Sequence, residues 1–384
     1  MNMPDLAVLA GAMCVIAWIY ILAGRALFWR VRLPPAALPT QVESGGLIAA
    51  IIPARNETDV IGASVTSLLR QSGAGLRLFV VDDNSTDGTA DIARSAAARH
   101  GGPGTLTVIA GQPLPSGWTG KLWALQQGIE QALTLQPQFL LLTDADIEHS
   151  PQSIATLAAI AEQGEYDLAS FMVKLHCHSV AEKLLIPAFV FFFFLLYPPK
   201  WICDSGRKTA GAAGGCMLIR PEALQRAGGM AAIRSEIIDD CALAAAVKRN
   251  GGKVWLGLKP DTRSLRSYGS FARIEGMIAR TAFNQLRHSA WVLMGALAGM
   301  VLVFLLPVAL LFSRWWMLGA GAYALMLIGY LPMVRFYGIN LLWALTLPAS
   351  AAFYMFATVH SALRYWSGRG GEWKGRAQDA MNRG

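Results

Sequence analysis

Three acidic pairs stand out by residue type and spacing: Asp82-Asp83, Asp144-Ala145-Asp146 and Asp239-Asp240. Two carboxylates one residue apart at the end of a strand can hold a hard divalent cation and hydrogen-bond a ribose. Mg2+ and Mn2+ suit such oxygen donors and leave coordination positions open for substrate phosphates. Alone, Asp144 and Asp146 read as solvated turn acids. The turn about sixty residues earlier, Asp82-Asp83-Asn84-Ser85-Thr86-Asp87-Gly88-Thr89, reverses that reading, because it too closes an apolar run. Lys121 opens a helical pattern after a glycine-containing loop and offers a positive charge to a phosphate; an ordinary surface lysine is the other reading. Gly211, Gly214 and Gly215 either admit close backbone approach to a ligand or simply turn the chain before a strand. Trp118 and Trp123 either stack on a ligand or pack. His176-Cys177-His178 has no second Cys or His pair at metal spacing and is not read as a zinc site.

The elements that must position these acids are an alternation of short apolar runs and helical patterns. Leu47–Ile52, Arg77–Val81, Leu106–Ala110 and Phe139–Thr143 read as strands. Helices are expected from the stretch ending at Arg70, from that ending at His100, and over Lys121–Leu135. This order predicts an α/β domain built on a mostly parallel sheet with helices on both faces. Ligands bind such sheets at the carboxyl ends of the strands, where Asp82, Asp83, Asp144 and Asp146 fall.

The rest of the chain is unlike a soluble enzyme. Of 384 residues, 54% are hydrophobic and 15% charged, well under the usual quarter for charged residues. Between Ala290 and Leu363 the charged residues are Arg314 and Arg335 alone. Leu6–Gly24 is a charge-free run of membrane-spanning length, followed by Arg25, Arg30 and Arg32. It reads as an uncleaved anchor with the following domain in the cytoplasm. Ala290–Phe312, Trp315–Val334 and Phe336–Val359 are three further candidates, with Pro332 and Pro348 marking expected breaks. One anchor and three full crossings would place the C-terminus outside, whereas Arg364, Arg369, Lys374, Arg376 and Arg383 argue for the inside. Residues 184–197, with four consecutive phenylalanines, read either as a buried core helix or as a helix lying in the bilayer interface, since a crossing would cut the sheet in two. The expected organisation is therefore an anchor over 1–28, a proline-bearing linker over 29–45 (Pro34, Pro35, Pro39), a cytoplasmic domain over 46–289, transmembrane helices over 290–360 and a basic tail over 361–384. The expected location is the inner or plasma membrane, with several crossings. The net charge of +8 gathers beside apolar runs and in the tail, so nucleic acid is not an expected partner. Five cysteines without a CxxC pair fit a reducing compartment.

Taken together, Ile52-Pro-Ala-Arg-Asn-Glu57, Val81-Asp-Asp-Asn-Ser-Thr-Asp87, Gly120-Lys121, Thr143-Asp-Ala-Asp146, Gly214-Gly215-Cys-Met-Leu-Ile-Arg220 and Ile238-Asp239-Asp240 resemble the family 2 glycosyltransferases, nucleotide-diphospho-sugar transferases with a GT-A fold. The similarity covers Leu47 to Gly257. The anchor, Gly117-Trp-Thr-Gly-Lys-Leu-Trp123, Ala279-Arg-Thr-Ala-Phe283 and Trp373-Lys-Gly-Arg376 are similar to the hopene-associated subgroup.

The resemblance implies that Pro53, Arg55, Glu57, Asp82 and Asp83 shape the nucleotide pocket and that Asp144 approaches the ribose. It implies that Asp146, with Asp144, carries Mg2+ or Mn2+ against the diphosphate. It also implies that Asp240, beside Asp239, is the base that deprotonates the acceptor with inversion at the anomeric carbon. The same acids, with Glu236, would equally favour the N-terminus of the helix running through Arg249. Gly214, Gly215, Arg280 and Arg287 are diphosphate or acceptor candidates. Processive members carry QxxRW before the membrane exit; here Arg287 follows Gln285 by two positions and His288, not tryptophan, comes next, which argues against polymer synthesis. The expected activity is transfer of one sugar from a nucleotide donor to a lipid acceptor, a hopanoid or related polyisoprenoid, with polyprenyl phosphate or a glycolipid as the alternative. A transporter would carry ionisable residues inside its spans, and a non-catalytic binding module would not need all of Asp144, Asp146 and Asp240.

Overall fold

The computed structural model describes residues 3–31, 33, 46–72, 75–368, 372–373 and 376–377, with side chains described within 8–368. The proline linker and most of the basic tail lie outside the described residues.

Helix α1 (Met3–Ile19) continues through one π-helical turn to Gly24. An alternating stretch follows: β1 (Leu47–Ala54), α2 (Ile61–Leu69), β2 (Gly75–Asp82), α3 (Thr89–His100), β3 (Leu106–Ala110), α4 (Gly120–Leu133) and β4 (Phe139–Thr143). Next come β5 (Ile147–Glu148), α5 (Ser153–Gln163), β6 (Leu168–Lys174), α6 (Val180–Leu196), α7 (Pro199–Cys203), β7 (Cys216–Ile219), α8 (Pro221–Arg226), α9 (Asp239–Arg249) and β8 (Val254–Ser264). The chain then runs through α10 (Phe271–Gln285), α11 (Ala290–Met300), α12 (Leu306–Leu311), α13 (Trp316–Tyr337) and α14 (Leu347–Trp366) to a short hairpin of β9 (Glu372–Trp373) and β10 (Arg376–Ala377).

Contacts divide the chain into two compact units, neither continuous in sequence. Among the described residues, the sheet unit comprises those within 32–176, 201–267 and 371–384, and the helical unit those within 1–31, 177–200 and 268–370. The boundary expected at 46–289 is thereby corrected at two places, because residues 177–200 and 268–289 pack with the apolar helices.

The sheet has the order β3-β2-β1-β4-β7-β6-β8-β5. Strands β1 to β4 run parallel and β6 runs parallel to β8, while β7 and β5 are antiparallel to their neighbours. The expected mostly parallel sheet is present. Strand β1 is apolar along its length because both its faces are covered, and Ile48 through Ile52 have no exposed surface. Pro53 is tolerated in this central strand because pairing with β4 stops at Ile51, so its missing N–H interrupts no ladder on that side. Helix α4 starts on the Thr119 side chain, which accepts from the Leu122 N–H. It lies close on the sheet through Gly128, where a Cβ would come 2.5 Å from Ile51 Cγ2 and 2.9 Å from Val81 Cγ2.

In the helical unit, α11 and α12 form one run through a π-helical turn at Val301–Leu305. Such a turn disturbs the regular backbone ladder, and α1 contributes donors to its carbonyls. Trp18 Nε1 donates to Val303 O at 2.8 Å and Cys14 Sγ to Leu302 O at 3.0 Å. Gly319 permits the close approach of α13, since a Cβ there would sit 2.7 Å from Pro307 O. Pro332 does not break α13, which runs on to Tyr337, so the third expected apolar run begins after Gly338 instead of at Phe336; Pro348 does stand at a change from 3-10 to α-helix. Helix α10 buries Ile274, Ile278, Ala279 and Phe283 along one stripe. Ser361 of α14 donates to Ala279 O at 2.5 Å and accepts from the Phe283 N–H. That polar stitching places α10 with the apolar helices.

Among the described residues, four helical stretches are long and apolar enough to cross a membrane: Val180–Cys203, Ala290–Leu311, Trp316–Tyr337 and Leu341–Trp366; Val8–Gly24 is shorter. The first is also the phenylalanine-rich run. Its length permits a crossing, contrary to a count of fourteen residues, but its connections forbid a single one. Strand β6 before it and β7 after it are hydrogen-bonded neighbours in one sheet. Nor is it a core helix of the sheet unit: Tyr354 Oη of α14 donates to Leu185 O and Ser350 Oγ to Leu184 O. Its start is fixed by a capping box in which Glu182, fully buried, accepts the Ser179 N–H, and further N–H groups of Tyr268 and Gly269.

Candidate active site

The loops at the carboxyl ends of β1 and β2 zip together. Glu57 N–H donates to Thr89 Oγ1 at 2.8 Å, Asn56 N–H to Ser85 Oγ at 3.0 Å and Thr58 N–H to Asp87 Oδ2 at 3.1 Å. Asp82 accepts the Ser85 N–H at 3.0 Å, which closes the turn. Asp83 is buried, and Arg55 binds its carbonyl at 2.5 Å with the carboxylate 3.6 Å away. Sequence-distant loops are thus one structure, and Pro53, Arg55, Glu57, Asp82 and Asp83 fall within it.

The remaining acids gather on two cations. Lys121 Nζ, at the start of α4, lies 2.9 Å from Asp144 at the end of β4 and 3.1 Å from Asp239 at the start of α9. It is no free surface lysine: its side chain is 18% exposed. Burial alone would lower its pKa, but Asp144 and Asp239 outweigh that and raise it. Beside them, Asp240 accepts the Gly214 N–H at 2.9 Å and the Cys241 N–H at 2.7 Å. Burial first, then the charge of Asp239, pushes the Asp240 carboxyl up to about 6, against the pull of Lys121 and the two N–H groups. The loop carrying Gly214 is tied down by Lys248 of α9, whose ammonium donates to the carbonyls of Trp201, Ile202 and Thr209 at 3.1, 2.8 and 2.7 Å. It is also held by Ser170 Oγ, which exchanges hydrogen bonds with Ala213.

The second cation is Arg266, two residues beyond the end of β8. Its Nε donates to Asp146 Oδ2 at 2.8 Å, and one terminal nitrogen donates to both oxygens of Glu57 at 2.8 Å. Glu57 and Asp146 are 11% and 14% exposed, the guanidinium side chain 35%. Behind the pair, the buried His149 shares a 3.0 Å contact with Thr143 Oγ1, and burial pushes its pKa down to about 3, so it is neutral.

Sequence reasoning did not find Arg266, His149 or Lys248. Arg266 belongs to no motif, and its partners lie 120 and 209 positions away in the chain. Other expected residues stand apart. Gly215 packs on Ile147 and Val173, where a Cβ would come within 3.2 Å of each. Arg280 and Arg287 are exposed residues of the helical unit, Arg287 with φ 53°. Trp118 and Trp123 pack on each other at 5.3 Å between ring centroids.

Residues 49–228 match the family model described as Glycosyl transferase family 2. Over this stretch, a little under half of the chain, the sequence is similar to that family's domain. The fold agrees: a mannosyltransferase from Pyrobaculum calidifontis, solved with GDP-Man and Mn2+, superposes with a TM-score of 0.50 at 18% identity, covering 93% of this chain and 99% of that one. Among curated proteins, the undecaprenyl-phosphate 4-deoxy-4-formamido-L-arabinose transferase of Pseudomonas savastanoi pv. phaseolicola is 30% identical over 128 residues, 32% of this chain and 34% of that protein. Its namesake in Aeromonas hydrophila subsp. hydrophila is 30% identical over 129 residues, 33% and 36% of the two chains. The chain therefore spans about a third of the length of these relatives. The chain has a GT-A fold.

In the sheet unit Asp144 and Asp146 supply hard oxygen donors of the kind that bind Mg2+ or Mn2+ together with phosphates. Among the described residues no group of three or more His, Cys, Asp or Glu side chains could cage an ion without such help. Five carboxylates (Glu57, Asp144, Asp146, Asp239, Asp240) face two cations (Lys121, Arg266), an excess of negative charge that suits a divalent ion.

Proposed function

We propose that this protein transfers one sugar, with inversion, from a nucleoside-diphosphate sugar to a membrane lipid on the cytoplasmic side of the inner or plasma membrane, which it spans more than once. The observation that carries the reading is the single ammonium of Lys121 joining Asp144 at a strand end to Asp239 at a helix start, with Asp240 alongside. Acids suited to the donor and an acid suited to the acceptor thus share one place. The loop pair holding Arg55, Glu57, Asp82 and Asp83 receives the base and ribose, with Asp144 at the ribose edge. Asp146 and Asp144 would hold Mg2+ or Mn2+, which when bound offsets charge on the departing diphosphate. Lys121 holds the Asp144 and Asp239 carboxylates in place, and Gly214 orients Asp240 through its N–H.

The acceptor class named for the curated relatives, polyprenyl phosphate, is the first reading. Such an acceptor is already ionised, since a phosphate monoester loses its second proton near pH ~6, and it asks little of a base. A hydroxyl-bearing lipid, the hopanoid reading included, is the second; Asp240 favours it, because a carboxyl at about 6 is matched to taking a hydroxyl proton. The test uses membranes containing the protein, labelled nucleotide sugars, and either polyprenyl phosphate or a neutral lipid extract, with and without EDTA. Metal-dependent, acid-labile label on polyprenyl phosphate supports the first reading and acid-stable label in neutral lipid the second. No lipid label with any donor sinks both.

A further inference from the structure

Arg266 occupies one oxygen of Asp146, the acid proposed as the principal metal carboxylate, and both oxygens of Glu57. Neither acid is well hydrated, so pairing with this guanidinium offsets part of the cost of burying each charge. The arrangement has two consequences. A divalent ion approaching Asp146 meets a fixed positive charge already in contact with its ligand. A diphosphate approaching without that ion meets a surplus of carboxylates.

We propose that Arg266 is a displaceable internal cation: it holds Asp146 and Glu57 while the site is free of donor, and leaves Asp146 when ion and nucleoside diphosphate enter together. The inference rests on the proposed metal role of Asp146. Arg266 is suited to the exchange. Its two contacts use different nitrogens, so the bond to Asp146 through Nε can break while the terminal nitrogen stays on Glu57. Its side chain is also the most exposed of the three partners. Once off Asp146, the Nε–H is an available donor for a phosphate oxygen. The ion alone then binds weakly, and ion plus nucleotide bind strongly, because the nucleotide gives Arg266 a new acceptor. Arg266 on this account gates the ion and then contacts the nucleotide, and binding of metal without turnover reports on it.

The experiment measures Mn2+ binding to the full chain in detergent by the loss of the free-ion electron paramagnetic resonance signal, alone and with UDP or GDP. For Arg266→Gln the donor-free Mn2+ affinity is expected to rise about tenfold or more, since a like charge has been removed from beside the ligand. The further gain on adding nucleotide is expected to shrink relative to the wild type. Arg266→Lys, which keeps the charge, should stay within about threefold of the wild type in donor-free affinity. If Arg266→Gln does not fold, Glu57→Gln/Arg266→Gln keeps the net charge constant and should still bind Mn2+ more tightly without nucleotide. Asp146→Asn added to either variant should abolish the gain. Unchanged or weaker donor-free binding in the folded Gln variants, while the wild type binds Mn2+ with UDP or GDP, overturns the displacement and leaves the metal reading standing. Absence of Mn2+ binding in every protein, with and without nucleotide, overturns both.

Discussion

Two cations hold the acids of the sheet unit, and they do so differently. Lys121 is mostly buried and lies between Asp144 and Asp239, tying the sheet to α9. Arg266 is twice as exposed and clasps Glu57 and Asp146 with separate nitrogens from the end of β8. The first is a strut whose loss changes the shape of the site. The second is a clasp whose loss changes what the site binds. The contrast follows from chemistry: an ammonium is a compact point charge that fits between two acids, whereas a guanidinium is a fork able to keep one partner and exchange another.

Removing the strut should have the largest effect. Lys121→Met leaves two acids without their cation and is expected to lower kcat/KM by about a hundredfold or more. It should also destabilise the domain by about 2–3 kcal/mol, less than for a fully buried pair because Asp144 keeps 37% of its surface. Retention of both activity and stability would remove the distinction between strut and clasp. Asp240→Asn sharpens the strut side. With a hydroxyl lipid the loss should be about 10²–10⁴-fold; with polyprenyl phosphate it should be less than about tenfold, with donor binding kept in both cases.

The pH dependence is next in size. Asp240 is raised to about 6 in the folded protein from an ordinary value of 3.8, so the native state binds the extra proton between those values. Folding stability should therefore fall as pH rises from about 4 to 6 through this group, by on the order of 2–3 kcal/mol at most, and Asp240→Asn should flatten that slope in unfolding measurements. With a hydroxyl acceptor, kcat/KM should decline about tenfold per unit below pH ~6 in the wild type and lose that limb in the variant. The smallest effect belongs to Gly214→Ala. Its Cβ would lie 3.4 Å from Lys121 Nζ and 3.5 Å from Asp240 Oδ2, ordinary contact distances. Stability should change by less than about 1 kcal/mol, and a larger drop would mean that the Lys121 side is more tightly packed than these distances imply.

The strut was largely legible in the sequence and the clasp was half hidden. Lys121, Asp144, Asp239 and Asp240 lie in short motifs next to strand or helix ends, where local pattern and chemistry coincide. The runs at Leu106–Ala110 and Phe139–Thr143 match β3 and β4 to the residue. Arg266 follows no pattern, because only the pairing of β8 with β5 and β6 brings it to Glu57 and Asp146. The expected bounds of 46–289 also took in α6 and α10. Hydropathy registers how apolar a segment is, whereas the unit a helix joins is decided by partners such as Leu184 with Ser350 and Ala279 with Ser361. The linker and the tail motif around Lys374 lie outside the described residues and play no part in this contrast.

The position of α6 between β6 and β7 also fixes an order of events during synthesis. Strand β6 is made before this phenylalanine-rich helix, yet its two sheet neighbours, β7 and β8, are made after it. From Lys174 to Cys216 the ribosome adds 42 residues, which takes roughly 2–8 s at ~5–20 residues per second. Through that interval β6 has no strand to pair with, while a helix apolar enough for a membrane emerges next to it. Export of the residues after α6 would strand two of the eight strands, β7 and β8, on the wrong side, so the nascent chain must hold α6 back until β7 arrives.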